Sequence, residues 1–464
     1  MRISFSRFLS ACCLIFVAAN ARPGAASAQT ITDKQRADAK RLIDAALADS
    51  SAWDRLAELT DTFGSRLSGS KALEDAIDWI LAQMKKDGLA NVRGERVMVP
   101  HWVRGTESAT LLTPRSTPLH MVGLGMSVGT SANGITAPVL VVDSFEDLQK
   151  HASEAKGKIV LFDHPFPLDV APMDGYDQAV TYRGGAPAAA AKVGAVAALI
   201  RSVSSFSIQN PHTGSTRYDS TVVKVPAAAL SVEDAEMLHR MQRRGGKITI
   251  NLKMSAQTLP NAPSRNVVAE LRGSEKPDEV VVLGGHIDSW DIGQGAMDDG
   301  GCSVAAWEAV RLMSKLGLKP KRTVRVVLWT NEENGGRGGR GYRDAHTAEL
   351  PKHSVAMECD NGVFKPVGFR FQGSAAGLEL AKAVGAVAGA SRVVSGEGEA
   401  DVGPIIQRGV PGLALDVDDT KYFWYHHSAG DMMNVIDRGE LAQCVAMMAA
   451  MAYIIADLDQ AIPR

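Results

Sequence analysis

Cysteine is scarce in this chain, with five among 464 residues. Two of them, Cys12 and Cys13, fall in an N-terminal apolar stretch, which leaves Cys302, Cys359 and Cys444. An odd number at such wide spacing excludes a disulfide framework; three buried thiols, or one bridge and a free thiol, stay open. An excess of charge is missing too. Lys and Arg number 50 against 52 Asp and Glu, a formal net charge of −2, so no basic surplus is available to match the phosphates of a nucleic acid. Beyond the N-terminus no uninterrupted apolar run reaches the ~20 residues of a membrane-spanning helix. The nearest, LAQCVAMMAAMAYIIAD over 441–457, reads as a buried C-terminal helix. Paired arginines are absent from the N-terminus, which argues against twin-arginine export.

What is present is ordinary globular material. Hydrophobic residues make up 45%, and the length suggests two or three domains of ~100–200 residues each. Arg2 and Arg7 precede FLSACCLIFVAA, and Ala26-Ser27-Ala28 offers small residues for cleavage. This predicts a Sec-type signal peptide over 1–28 and a secreted or periplasmic mature protein. Leu9-Ser10-Ala11-Cys12 has lipoprotein residue types, but too few apolar residues precede Cys12.

From Thr32 to about Leu89 the pattern is helical, with Leu73, Ile77, Leu81 and Met84 on one face and Gly88 as a stop. Residues 119–257 change character. PVLVVDS, GKIVLFD and KITINLKM read as short strands and GAPAAAAKVGAVAALI as a small-residue helix, a separate module of ordinary domain size. From about 258, DEVVVLGGH, RTVRVVLWTNEE, HSVAMECD and PGLALDV read as strands, with GCSVAAWEAVRLMSKLG as a helix. Continuous Val/Leu runs alternating with helices predict a mostly parallel sheet flanked by helices. Domains are expected at 29–118 with 258–464, and at 119–257.

Ligands of such sheets sit at the carboxyl ends of the strands. His286 follows one strand, Glu332 and Glu333 another, and Asp360 a third; Asp298 lies in the loop after His286, and His427 beyond GLALDV. Each residue taken singly has an ordinary explanation, an Asp-Asp in a Gly-rich loop being common turn chemistry. Together they make a set of imidazole and carboxylate donors suited to zinc or a similar divalent ion. Five ligands, counting one of the adjacent Glu332 and Glu333, exceed one open tetrahedral site and fit two ions about 3.5–4 Å apart with a shared carboxylate. Tyr425 and His426 are candidates for substrate contact. His346 and His353 read as surface histidines, and His101, His120, His151, His164, His212 and His239 have no ligand-like context.

HIDSWDIGQGAMDDGG, WTNEENGGRGG, ECDNG and YHHSAGD resemble the motifs of the di-zinc aminopeptidase and glutamate carboxypeptidase family. The similarity runs over about 30–460. It implies a zinc exopeptidase fold, with 119–257 as an inserted α/β protease-associated domain. It also implies two Zn²⁺ per chain, small peptide substrates with free termini, and a homodimer. By motif position, Asp298 is expected to bridge the ions, His286 and Asp360 to complete one site, and Glu333 and His427 the other. Glu332 is expected as general base, and Asp288 as the group that fixes the His286 tautomer. His427 is preferred over His426 because the family's ligand is followed by Ser or Thr, with an acid four positions on, here Asp431. Met432 stands where the family has Thr. The Asp298–Asp299 bond is expected to be cis. Two alternatives share the architecture: a non-catalytic binding protein, which would be expected to have lost ligands or base, and a glutaminyl cyclase-like acyltransferase with one zinc.

Overall fold

The computed structural model describes residues 29–464; the expected signal peptide over 1–28 lies outside them. Two eight-stranded sheets organise the chain. The larger contains β1 (Ala90–Val103), β2 (Gln257–Leu271), β3 (Lys276–His286), β4 (Arg322–Trp329), β5 (His353–Glu358), β6 (Pro366–Gln372), β7 (Arg392–Ser395) and β8 (Gly412–Val417), in the order β1-β2-β4-β3-β5-β8-β6-β7. The central quartet β4-β3-β5-β8 is parallel. β1, β2 and β6 run antiparallel to their inner neighbours, so the sheet is mixed and the expected parallel pattern holds at its centre. The central strands are continuous runs such as Val280–Leu283 and Val324–Trp329, buried throughout, as a sheet covered on both faces requires.

Helices Asp33–Ala48, Ser51–Phe63 and Lys71–Lys86 fill the N-terminal helical stretch. In the third, Leu73, Ile77 and Met84 are buried with Ile80, and Leu81 sits half-out. Gly88 takes φ 75° just past the helix end, a backbone conformation that glycine adopts without steric cost. Helix Gly301–Lys315 packs beneath β3 and β4, and helix Arg438–Asp457 against it. The latter is long and apolar enough to cross a membrane, but 78% of its apolar window is buried inside the fold, so it serves as a core helix.

The second sheet draws its strands from Glu107 to Met254. One sequence expectation fails there. The small-residue stretch 185–200 is helical only to Lys192, at the end of helix Pro172–Lys192, and Ala197–Arg201 is a strand. Gly194 turns the chain at φ 78°, and the apolar run after it is too short for a helix but long enough to pair between two parallel neighbours. Cys302 and Cys359 are bonded to each other, and Cys444 is free and buried.

Candidate metal centre

The strand ends of the parallel quartet deliver the candidate side chains. His286 closes β3 and stands in register with Trp329 at the end of β4. Past Trp329 the chain turns through Asn331 at φ 67°, presenting Glu332 and Glu333. On the other flank β5 ends at Glu358, two residues before Asp360. The glycines near the end of β3, Gly284 and Gly285, have a steric reason. A Cβ at Gly285 would lie 2.4 Å from Asp299 Oδ2, so this spot admits the Asp298–Asp299 loop only without a side chain. The Asp298–Asp299 peptide bond is cis.

All five expected ligands converge. His286 Nε2 lies 3.1 Å from Asp360 Oδ1 and 3.3 Å from Asp298 Oδ1. His427 Nε2 lies 2.9 Å from Glu333 Oε2 and 3.4 Å from Asp298 Oδ2. Asp298 therefore turns one oxygen to each imidazole, with Asp360 on one side and Glu333 on the other. Asp298 Oδ2 and Glu333 Oε1 are buried without a hydrogen-bond partner, a costly condition for carboxylate oxygens unless a cation meets them. His426 Nε2 stands farther off, 3.7 Å from Asp298 Oδ2. The Glu332 carboxylate makes no hydrogen bond among the described residues, while its backbone N–H donates to Asp288 Oδ1 at 3.1 Å.

The surrounding groups fix this arrangement through the backbone. His286 Nδ1 lies 2.9 Å from the Asp288 carbonyl and 3.8 Å from its carboxylate; that carboxylate accepts from Ser68 as well as from Glu332 N–H. Asp431 accepts the N–H groups of Ala296, Met297 and Asp298 at 3.0, 2.7 and 3.1 Å. Arg66, fully buried, donates to the carbonyls of Ile287, Gly64, Gln294 and Gly295; burial lowers its pKa to about 10. His427 has φ 59°, an unusual conformation for a side-chain-bearing residue. The second sheet's segment holds it there: Thr213 N–H donates to the His427 carbonyl at 2.8 Å, and His212 Nδ1 donates to that of His426.

Without cations, the centre is a crowd of buried acids. Burial foremost, reinforced by neighbouring carboxylates, pushes Asp299, Glu332 and Glu333 well above the usual range, Asp401 to about 8 and Asp431 to about 7. Burial works against a charged His286, but Asp360 and Asp298 beside it outweigh that and raise its pKa. His427 and His426 are lowered by burial, with the Arg183 charge adding to it. These directions set a stability profile for the metal-free protein. Acids raised in the folded state bind protons that the unfolded chain has released, so stability falls as pH climbs towards their folded pKa. His286 acts in the same sense. The lowered histidines act oppositely, but only below their ordinary value of 6.5. The metal-free protein is therefore expected to melt at progressively lower temperature from about pH 6.5 to 8, and zinc should abolish that slope. Thermal melts across this range with and without zinc measure it; a flat metal-free profile would contradict the assignment of shifts.

A cavity of about 230 Å³ opens on these groups, lined by Asp298, Glu332, Glu333, Asp360, His426 and His427 together with Arg183, Tyr176, Tyr422 and Glu399. A larger hollow of about 670 Å³ lies by Asn91, Glu270 and Lys352, but Arg325 there is already paired with Glu270 and Glu349, and no imidazole lines it. Tyr425 does not line the smaller cavity. Sequence reasoning missed Arg183, Tyr176 and Glu399, which lie outside the ligand-like motifs, and Tyr422, which opens the stretch YFWYHHSAGD that carries His427. It also misplaced two histidines. His346 and His353 are 6% and 1% exposed; His346 Nε2 meets Glu95 at 3.0 Å and His353 Nε2 meets the Tyr342 hydroxyl at 2.9 Å. Polar partners brought by other elements, Glu95 from β1 and Tyr342 from helix Arg337–Ala345, let these imidazoles be buried.

Comparison with known proteins agrees with this geometry. Residues 266–452 match the model of peptidase family M28. Carboxypeptidase Q of Mus musculus is 49% identical over 416 residues, covering 89% of this chain and 87% of that protein. A peptidase M28 precursor from Shewanella amazonensis SB2B superposes with a TM-score of 0.89 at 34% identity, covering 93% of this chain and 99% of that one. A zinc aminopeptidase from Bacillus subtilis shares the fold, with a TM-score of 0.65 at 20% identity, covering 89% of this chain and 98% of that one. The chain is thus an enzyme, a metallopeptidase of the exopeptidase kind. It belongs to peptidase family M28 and stands close to carboxypeptidase Q.

Proposed function

We propose that this protein is an exported exopeptidase that holds two zinc ions per chain and hydrolyses dipeptides with free termini. The observation that carries the reading is the disposition of Asp298, whose Oδ1 faces His286 and whose Oδ2 faces His427. A carboxylate so placed would bridge one ion held by His286 and Asp360 and another held by Glu333 and His427. The donor set of imidazole nitrogen and carboxylate oxygen suits zinc, and the unpartnered oxygens of Asp298 and Glu333 fit cations better than any other ligand. Bound there, such ions would supply Lewis acidity, lowering the pKa of water and stabilising negative charge on the carbonyl oxygen.

The chain's own groups supply the rest. Glu332, adjacent to a ligand but touching no imidazole, would accept the proton of the attacking water and return it to the leaving amine. Asp288 would position it by accepting its backbone N–H, and the Asp288 carbonyl would fix the His286 tautomer. Arg183 reaches the cavity from the second sheet's helix. It has no carboxylate partner among the described residues, and its Nε–H donates to none of them, which suits it to a substrate carboxylate. The unit built on Glu107–Met254 would then be a protease-associated insert that completes the cavity. Export is supported by the N-terminal pattern and by the Cys302–Cys359 bridge, a bond of oxidising compartments. A homodimer is proposed from the family resemblance.

Zinc analysis with a dipeptide panel tests this. About two ions per chain are expected, with turnover of free dipeptides and little of those blocked at either end. One ion with cyclisation of N-terminal glutamine would replace this reading by the single-zinc acyltransferase, and zinc without turnover by a binding protein.

A further inference from the structure

The acids lining the cavity are Asp298, Glu332, Glu333, Asp360 and Glu399. The metal and base assignment uses the first four and leaves Glu399. We propose that Glu399 is the receptor for the free α-ammonium group of the substrate, an inference that rests on the exopeptidase reading and adds the direction in which the peptide lies. Glu399 is held by one oxygen only. Its Oε1 accepts from Asn361 Nδ2 at 2.7 Å and from Arg370, while Oε2 accepts no hydrogen bond among the described residues. The side chain is 13% exposed, so that oxygen is ordered yet open to the cavity.

Position gives this carboxylate its meaning. Asn361 directly follows Asp360, which sets Glu399 beside the His286–Asp360 half of the centre. Arg183 stands at the other half, its Nη1 3.2 Å from His427 Nδ1. The cavity thus has at one end Glu399, paired with Arg370 through one oxygen and free at the other, and at the opposite end the guanidinium of Arg183. An ammonium group entering a site that carries divalent cations is repelled unless a carboxylate outside the coordination sphere receives it. Glu399 answers that requirement. The substrate's amino end would lie over His286 and Asp360, and its carboxyl end over Glu333 and His427.

The test compares kcat/KM for L-alanyl-L-alanine and its N-acetyl derivative in zinc-loaded wild type, Glu399→Gln and Glu399→Asp. Wild type should favour the free amine by at least ~100-fold, because the N-acetyl substrate leaves the polar group awaiting the ammonium without its partner. Glu399→Gln should cut that preference about tenfold or more, through a higher KM for the free dipeptide, and leave the acetylated substrate unchanged. Glu399→Asp, which keeps a charge facing Arg370, should be intermediate and reads the same ratio if the Gln variant fails to fold. An unchanged ratio in Glu399→Gln, or an equal loss on both substrates, would overturn the assignment of Glu399 alone. No turnover of either substrate by wild type would overturn the hydrolase reading and this assignment with it.

Discussion

Replacing Glu332 by Gln is expected to lower kcat on a free dipeptide by about 1,000-fold, within the range that a positioned general base contributes, while KM and zinc content stay near wild type. Gln has nearly the shape of Glu but cannot accept the proton, so the variant isolates proton transfer from packing. The structure gives a reason to separate Glu332 from its neighbour. Glu333 Oε2 lies 2.9 Å from His427 Nε2 and is engaged in the cluster. The Glu332 carboxylate has no hydrogen-bond partner among the described residues and lines the cavity. Its backbone is nonetheless anchored on Asp288, so the side chain is placed without being consumed. Burial and the Asp360 charge raise its pKa, which favours proton uptake during the reaction. Steady-state kinetics with zinc analysis and a melting curve decide the matter. Comparable kcat in the variant and wild type would move the base elsewhere, and lost zinc would make Glu332 a ligand instead.

The parts of this centre that could be read from sequence are those where chemistry follows the strand period. Val281–Leu283 and Val324–Leu328 announce buried strands, and parallel neighbours put His286, Glu332, Glu333 and Asp360 on one edge by topology alone. Asp298 and His427 could be named as candidates, but their roles, and the choice of His427 over His426, needed more, because their loops are placed by tertiary contacts; the motif resemblance supplied those. Arg183 and Glu399 had no local signal. Arg183 lies in a run of alanines and glycines on a helix of the second sheet, and only the packing of that unit over residues 426–428 brings it to the centre. Glu399 sits in a Gly-rich loop after β7 and is recruited by Asn361 across the sheet edge. His346 and His353 were misplaced for the same reason in reverse, since the partners that satisfy them, Glu95 and Tyr342, belong to other elements. The helix-to-strand switch at Gly194 marks the limit of periodicity, where an alanine run fits either structure until its neighbours are known.

Asp298 is the position at which a single substitution should remove the most. Asp298→Asn keeps the volume and one oxygen but gives up the charge shared between His286 and His427. Zinc content should fall from about two ions per chain to one or fewer, and dipeptide turnover should fall below detection, because both halves of the centre lose a ligand at once. Stability supplies a second readout. An ion that binds only the folded chain stabilises it by ~4 kcal/mol at ~1,000 times its dissociation constant, so zinc should raise the wild-type melting temperature strongly and that of Asp298→Asn much less. Without metal the order can reverse. Asp298 is an ionised buried acid, its pKa held down by His286 and by His426 against the pull of burial. Its oxygens also crowd Glu333 and Asp431, whose pKa values it helps to raise. Taking away that charge relieves the two acids and weakens the pairing that keeps His286 protonated. The metal-free variant should therefore lose less stability than wild type as pH rises from about 6.5 to 8. A variant that binds two zinc ions and gains the full zinc-dependent stabilisation would show that Asp298 does not bridge, and the two-ion centre would have to be rebuilt from the remaining ligands.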